Sequence, residues 1–296
     1  MLRLRNHHAT ALVVISLPLL LCGRDRQDPQ PRASRDGDTV YVRAVVTDML
    51  NRYVTDLEQK SFKLVEDRAE QKIGYFAQKA APMSMGIVMD ATRNLELRVD
   101  AVRKTIARLL ASGDPSDDMF LITFDRKSAR IESYSGQNTA TEEIPSFGQV
   151  AKLSPLDSAF DFAVNQMKQR ANRKKALIVI TSSPSLDLSG EASSVVSESY
   201  ARVYSISGGR RIESSRAYSI QETSGGRPYF LTDFGELDYY IGLIHTELRS
   251  EYILGYSPKN AARDGKWRKI SVELKLPSGS PMLTVAADKG YYAPKN

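Results

Sequence analysis

Histidine and cysteine are almost missing from this chain, whose 296 residues hold one cysteine and three histidines. Cys22 has no cysteine to pair with, so no disulfide can form within the chain and stability must come from burial. His7 and His8 lie near the N-terminus, which leaves His245 as the one histidine of the body. Zinc sites built from two or more His or Cys ligands are therefore excluded, as is cysteine catalysis. A Ser-His-Asp triad would have to use His245. That residue sits in the helix-like run Ile241-Gly-Leu-Ile-His245-Thr-Glu-Leu248 and reads as a partly buried helix histidine. No G-x-S-x-G elbow accompanies it. The phosphate loop G-x-x-x-x-G-K-[ST] and the dinucleotide signature G-x-G-x-x-G are absent too. Gly208-Gly209 and Gly225-Gly226 read as turns and helix stops. Carboxylates are plentiful, so a hydrolase using Asp90, Asp125 and Asp157 is the catalytic alternative that the composition leaves open.

A long apolar run is also lacking. Arg3 and Arg5 precede an apolar stretch from Ala9 to Cys22, shorter than the roughly 20 residues of a membrane-spanning helix. A charged start followed by a short apolar core reads as a secretory signal, with a retained signal-anchor as the alternative. Leu19-Leu-Leu-Cys22-Gly23 resembles a bacterial lipoprotein box with Leu21 where a small residue is usual. Lipid on Cys22 and ordinary cleavage near Gly23 both stay open. The expected location is exported: periplasmic, outer-envelope or secreted. Export without disulfides fits a bacterium. Membrane contact is expected only through an N-terminal anchor or a lipid on Cys22.

The formal charge is +6. The densest basic runs are Lys168 to Lys175, at a predicted helix end where the dipole favours cations, and Lys266 to Lys269, beside Trp267 on a predicted strand; both read as solvated faces, and no nucleic-acid partner is expected. Arg24 to Asp38 is poor in apolar residues and reads as a linker. Thr39 to Asp48 alternates apolar and polar residues as a half-buried strand does. Phe62 to Asp67 and Gln71 to Phe76 repeat that character. Buried strands follow at 83–89, 119–124, 176–180, 202–206 and 228–231, with a short edge strand at 130–134. Amphipathic helices are predicted at 97–110, 155–170, 191–200, 216–223 and 234–249. Strands alternating with helices imply a mostly parallel sheet covered on both faces. Strand patterns return at 252–256, 269–275 and 283–286. The predicted organisation is a signal peptide at 1–23, a linker at 24–38, an N-terminal β segment at 39–82, an α/β domain at 83–250, and a C-terminal β segment at 251–296 that pairs with 39–82.

Within the α/β part, Met85-Gly-Ile-Val-Met-Asp90-Ala-Thr92-Arg-Asn94 is the most informative stretch. A short apolar run ends in an aspartate, and oxygen-bearing residues follow at alternate positions. This is how a buried parallel strand delivers oxygen ligands to the edge of a sheet.

Here the chain resembles the von Willebrand factor A (vWA) domain, and more closely a family of exported vWA-related bacterial proteins best known from Acidobacteria. The resemblance spans nearly everything after the signal. It rests on Val45-Val-Thr-Asp48, Phe62-Lys-Leu-Val-Glu-Asp67, Pro82 to Asp90, Ile122-Thr-Phe-Asp125, Thr223-Ser-Gly-Gly226, Tyr252 to Pro258, Asp264 to Ile270 and Lys289-Gly-Tyr-Tyr292, in that order. It implies a Rossmann-like vWA domain with a mostly parallel sheet, flanked by a β-sandwich-like domain. It also implies a non-enzymatic binding or adhesion module, which uses a divalent metal to grip a protein or a cell-envelope component.

The implied metal site is degenerate. The family's D-x-S-x-S reads Asp90-x-Thr92-x-Asn94 here. The threonine of its second motif falls nearest Ser154, one position closer to Asp157 than usual. Its S-D-G becomes Thr181-Ser182-Ser183, so a second carboxylate is replaced by Ser182. The expected ligand set is Asp90, Thr92, Asn94, Ser154 and Ser182, holding either no ion or a weakly bound Mg²⁺, Mn²⁺ or Ca²⁺. One carboxylate with neutral oxygens compensates a divalent ion poorly, and affinity falls towards the millimolar range as ligand charge falls. The competing reading has Asp90 capping the following helix or binding loop amides.

Overall fold

The computed structural model describes residues 33–78, 81–135, 138–144, 154–182, 200–208 and 224–295. The signal, Cys22 and the predicted helices at 191–200 and 216–223 lie outside the described residues, apart from Tyr200. Among the described residues, no helix is long and apolar enough to cross a membrane.

The chain opens with β1 (Ser34–Asp36), β2 (Thr39–Asp48), β3 (Phe62–Glu66), β4 (Ala69–Gln71) and β5 (Tyr75–Ala77). The α/β part holds β6 (Met83–Asp90), α1 (Val99–Ala111), β7 (Asp118–Phe124), β8 (Ala129–Ser135), β9 (Asn138–Glu143), α2 (Pro155–Gln169), β10 (Lys174–Thr181), β11 (Arg202–Gly208), β12 (Pro228–Leu231) and α3 (Leu237–Arg249). The tail adds β13 (Tyr252–Tyr256), β14 (Trp267–Leu274), β15 (Leu283–Ala287) and β16 (Gly290–Tyr292).

The central sheet runs β12-β11-β10-β6-β7-β8-β9. Neighbours from β12 to β7 are parallel, whereas β8 is antiparallel to both β7 and β9. With β9 set aside, this is the 3-2-1-4-5-6 order of a doubly wound sheet, counted from β6. Strands buried on both faces need continuous apolar runs, and β6 and β10 supply them. Met85, Ile87, Met89, Ile178 and Ile180 pack on the side of α1 and α3, against Val102, Ile106, Ile241 and Ile244. Val88, Leu177 and Val179 face α2 through Phe160, Ala163 and Val164. Gly86 is small of necessity, because a Cβ there would run into the Phe120 ring and Leu177.

The flanking sandwich is built from both ends of the described chain. One sheet is β1-β2-β13-β5 with β15 also on β2, and the other is β16-β14-β3-β4. Val40, Val42, Ala44 and Val46 of β2 meet Leu64, Ile270 and Tyr291 of the second sheet in a common core. The buried Glu66 carboxylate crosses that core, accepting from the Tyr256 hydroxyl at 2.5 Å and the Tyr291 hydroxyl at 3.1 Å.

Four sequence expectations are corrected. Part of the stretch read as a linker is strand: Ser34–Asp36 pairs with Thr39–Tyr41 across a turn in which Gly37 has φ +57, a left-handed conformation that glycine adopts cheaply. Gln71–Phe76 is not one strand, because β4 joins β3 in one sheet and β5 joins β13 in the other. The crossing falls at Gly74, whose N–H donates to Gly255 O. The strand at 129–135 is not an edge, since β9 pairs outside it. The run Lys168 to Lys175 is not solvated throughout. Lys174 and Lys175 are buried in β10, their ammonium groups donating to Arg249 O at 2.8 Å and Met167 O at 3.0 Å.

The N-terminal ends of the central strands rest on the sandwich through buried charges. Arg43 of β2 donates to Asp288 and, at 2.9 Å, to Ser224 O. Arg202 at the start of β11 pairs with Glu251, beside β13 of the sandwich, while Arg249 pairs with Asp117 within the α/β part. Arg173 stacks over Tyr41 at 4.4 Å. The opposite edge, where the strands end in loops, does not carry the sandwich.

Candidate functional site at the carboxyl edge of the central sheet

Asp90 is the last residue of β6 and is partly exposed. Its Oδ1 accepts the Thr92 N–H at 3.0 Å, so the carboxylate folds back on its own loop. The loop is pinned sideways as well, since Ala91 N–H donates to Phe124 O at the end of β7. This is a loop-amide contact of the kind the sequence also allowed. Thr92 is extended and precedes a 3-10 turn at Arg93–Arg98, and its side chain makes no capping bond. The Asn94 backbone lies in that turn, and its side chain lies outside the described part.

Ser182 follows β10, the strand that pairs directly with β6 in a register matching Ile180 to Met89. Asp90 and Ser182 therefore end neighbouring strands on one edge, with Ser182 half-buried. Ser183 lies outside the described residues. Ser154 is exposed at the N-terminus of α2 and is engaged in a capping box. Its Oγ accepts Asp157 N–H at 3.1 Å and donates to Asp157 Oδ2 at 2.8 Å. This exchange satisfies helix-end donors that otherwise lack partners.

Two residues that the sequence reading did not single out help to shape this edge. The Asp233 carboxylate accepts Gly235 N–H at 2.7 Å ahead of α3, and Arg98 reaches it at 3.8 Å. The pair ties the turn after Asp90 to the loop after β12. Asp233 ahead of Gly235 is a readable cap, but its partner in the 93–98 turn could be found only in three dimensions.

The donor set decides whether a divalent ion fits. Among the described residues, no three His, Cys, Asp or Glu side chains come together as metal ligands. One Asp90 oxygen is already committed, and the Ser154 hydroxyl donates its proton to Asp157. Asp125, which ends the neighbouring strand, is consumed by the amides of Lys127 at 2.7 Å and Ser128 at 2.8 Å. Those two amides hold its carboxyl below the usual range. Mg²⁺ demands near-octahedral oxygen ligation and sheds water reluctantly. One carboxylate with one oxygen committed, beside a Ser154 hydroxyl engaged elsewhere and otherwise neutral oxygens, does not fit a resident ion of that kind. The same hydrogen bonds engage one oxygen of Asp90, together with Asp125 and Asp157, the other two carboxylates of the hydrolase alternative.

No protein-family model matches the chain, and no curated protein matches it. Among solved structures it is similar to the BatB protein from Bacteroides thetaiotaomicron, with 15% identity over 56% of this chain and 98% of that one, at TM-score 0.36. It is similar to the ArnB paralog VWA2 from Sulfolobus acidocaldarius, with 12% identity over 86% and 76% of the two chains, at TM-score 0.38. A von Willebrand factor type A protein from Catenulispora acidiphila is 7% identical over 91% of this chain and 75% of that one, at TM-score 0.38. It is the strand order, with β8 antiparallel and an aspartate closing β6, that decides the fold. The α/β domain is von Willebrand factor A-like. In this vWA-like domain the carboxyl edge is where an open α/β sheet places its ligands.

Proposed function

We propose that this chain is an exported, non-enzymatic binding module that recognises a protein or a cell-envelope component through the carboxyl edge of its vWA-like domain. Recognition there uses direct hydrogen bonds and no resident cation. The observation that carries this reading is the placement of Asp90, Thr92 and Ser182 on the edge away from the sandwich, with the loop after Asp90 held by Phe124 O and by the Arg98–Asp233 pair. A pinned, partly exposed polar loop suits a binding surface, because little freedom is left to lose on association. The lone carboxylate and the engaged Ser154 hydroxyl argue against a metal grip.

The test has two parts. Thermal unfolding is measured in EDTA and then in millimolar Mg²⁺, Mn²⁺ or Ca²⁺. An ion that binds only the folded state raises the midpoint by mass action, by about 2.7 kcal/mol at 100 times its dissociation constant. No shift is expected, and a shift abolished by Asp90→Ala would replace this reading with a metal-dependent one. Capture of envelope proteins by the immobilised domain is then compared with capture by Asp90→Ala and Thr92→Arg. Loss of capture with an intact fold is expected. Undiminished capture would move the binding surface elsewhere. Hydrolytic turnover that Asp125→Asn abolishes would favour the enzyme alternative.

A further inference from the structure

Beside the Arg43–Asp288 clamp, a cleft of about 580 Å³ opens between the sandwich and the vWA-like domain. Val45, Ala286 and Ala287 give it an apolar wall, Tyr53 stands on the sandwich side, and Arg227 and Glu247 come from the other domain. The buried charges around it are already matched. Glu247 accepts from the Tyr204 hydroxyl at 3.0 Å and pairs with Arg227. Asp288 is taken by Arg43, and Glu251 by Arg202.

The groups facing the opening are different. The Arg227 side chain is 54% exposed, and Glu247 engages only one of its guanidinium nitrogens, although the group has five N–H donors. Among the described residues, the Tyr53 hydroxyl has no hydrogen-bond partner. Burial first, and then the nearby Glu247 charge, hold Tyr53 above its ordinary pKa, so it remains a donor at neutral pH. The open groups are thus donors beside an apolar wall. A planar guanidinium matches a carboxylate in geometry. Glu247 and Asp288, which line the cleft and are held by Arg227 and Arg43, disfavour a doubly charged phosphate.

We propose that this junction cleft is a second ligand site, for a carboxylate on a short apolar stem, held between the Arg227 guanidinium and the Tyr53 hydroxyl with its stem against Val45, Ala286 and Ala287. Both domains contribute to it, so the ligand clamps their junction. It lies at the edge opposite Asp90 and stands or falls independently of the reading above. The same chemistry is offered by a free aliphatic acid and by the C-terminus of a peptide.

The full-length protein is titrated by calorimetry with hexanoate and with the tripeptide Ala-Val-Leu, either as the free acid or C-terminally amidated. Binding of a free acid is expected, with the amide at least about tenfold weaker, as the loss of a charged hydrogen bond implies. Tyr53→Phe and Arg227→Gln should each weaken binding by a similar factor, and Asp90→Ala should leave it unchanged. Saturation by hexanoate points to a free acid. Binding of the tripeptide alone points to a peptide terminus. If Arg227→Gln fails to fold because Glu247 loses its partner, Tyr53→Phe decides alone. Equal binding of acid and amide, undiminished binding by Tyr53→Phe, or no binding of any probe overturns the proposal.

Discussion

His245 should make this protein measurably less stable in mild acid. It lies on α3 with 9% of its surface exposed, and its buried Nε2 has no hydrogen-bond partner among the described residues. Burial, reinforced by Arg249 and Arg108 and opposed by Asp117, lowers its pKa to about 4. The unfolded chain would titrate near 6.5. Between these values the unfolded state binds more protons, so stability is full above pH 6.5 and falls as the pH drops towards 4. At about 1.4 kcal/mol per unit, the loss relative to neutral pH is roughly 2 kcal/mol at pH 5 and roughly 3 kcal/mol at pH 4. Carboxylates titrate in the same range, so the comparison needs a variant that cannot protonate at this position. Urea unfolding of wild type and His245→Gln, followed by circular dichroism at pH 7, 6, 5 and 4, isolates the imidazole. The stability difference between the two should change in favour of His245→Gln by about 2 kcal/mol from pH 7 to pH 5. Curves that stay parallel across this range would refute the reasoning.

Two further substitutions test the packing that positions the sites. Ser154→Ala removes the capping box of α2 and should cost about 1 kcal/mol in denaturant unfolding without loss of helix content; no cost would mean that the cap is idle. Arg43→Leu strands Asp288, which is 1% exposed. It should destabilise the chain by about 3–5 kcal/mol, with much of this recovered in Arg43→Leu/Asp288→Leu; equal stability of the single and double variants would show that the clamp does not hold the junction.

How much of this was legible in sequence depended on the range of the interactions. The buried strands of the central sheet were readable because continuous apolar runs such as Met85–Met89 and Leu177–Ile180 carry a strong signal. The helix at 155–170 was readable from its amphipathic period, whereas the Ser154–Asp157 capping box that opens it, though local, was passed over for Ser154 as a ligand. The strand β9 was missed because every residue in Asn138–Glu143 is exposed, which leaves no burial period to detect. Lys174 and Lys175 misled for a related reason. Their charges look solvated until Arg249 O and Met167 O, carbonyls at helix ends, are placed over them, an arrangement that helix dipoles favour. At the candidate site, Asp90 could be found by pattern alone. What the pattern could not say is where its oxygens point, and that depends on the Thr92 amide and on the end of β7.

The two edges of the central sheet differ in how their charges are used. At the amino edge, Arg43, Arg202 and Arg249 sit in or beside the junction with the sandwich, each with a buried carboxylate partner. Truncating one member of such a pair leaves an uncompensated buried charge, so this edge resists change except where Arg227 and Tyr53 open onto the cleft. At the carboxyl edge, the carboxylates of Asp90, Asp125 and Asp233 bind amides of their own loops. Removing one of them loosens a loop without burying a charge. A change of side chain at the carboxyl edge can therefore leave the fold beneath it intact. On the reading proposed above, a vWA-like scaffold that keeps its sheet without an ion draws its specificity from the loops themselves, so a null result in the cation titration at Asp90 makes loop geometry the next property to test.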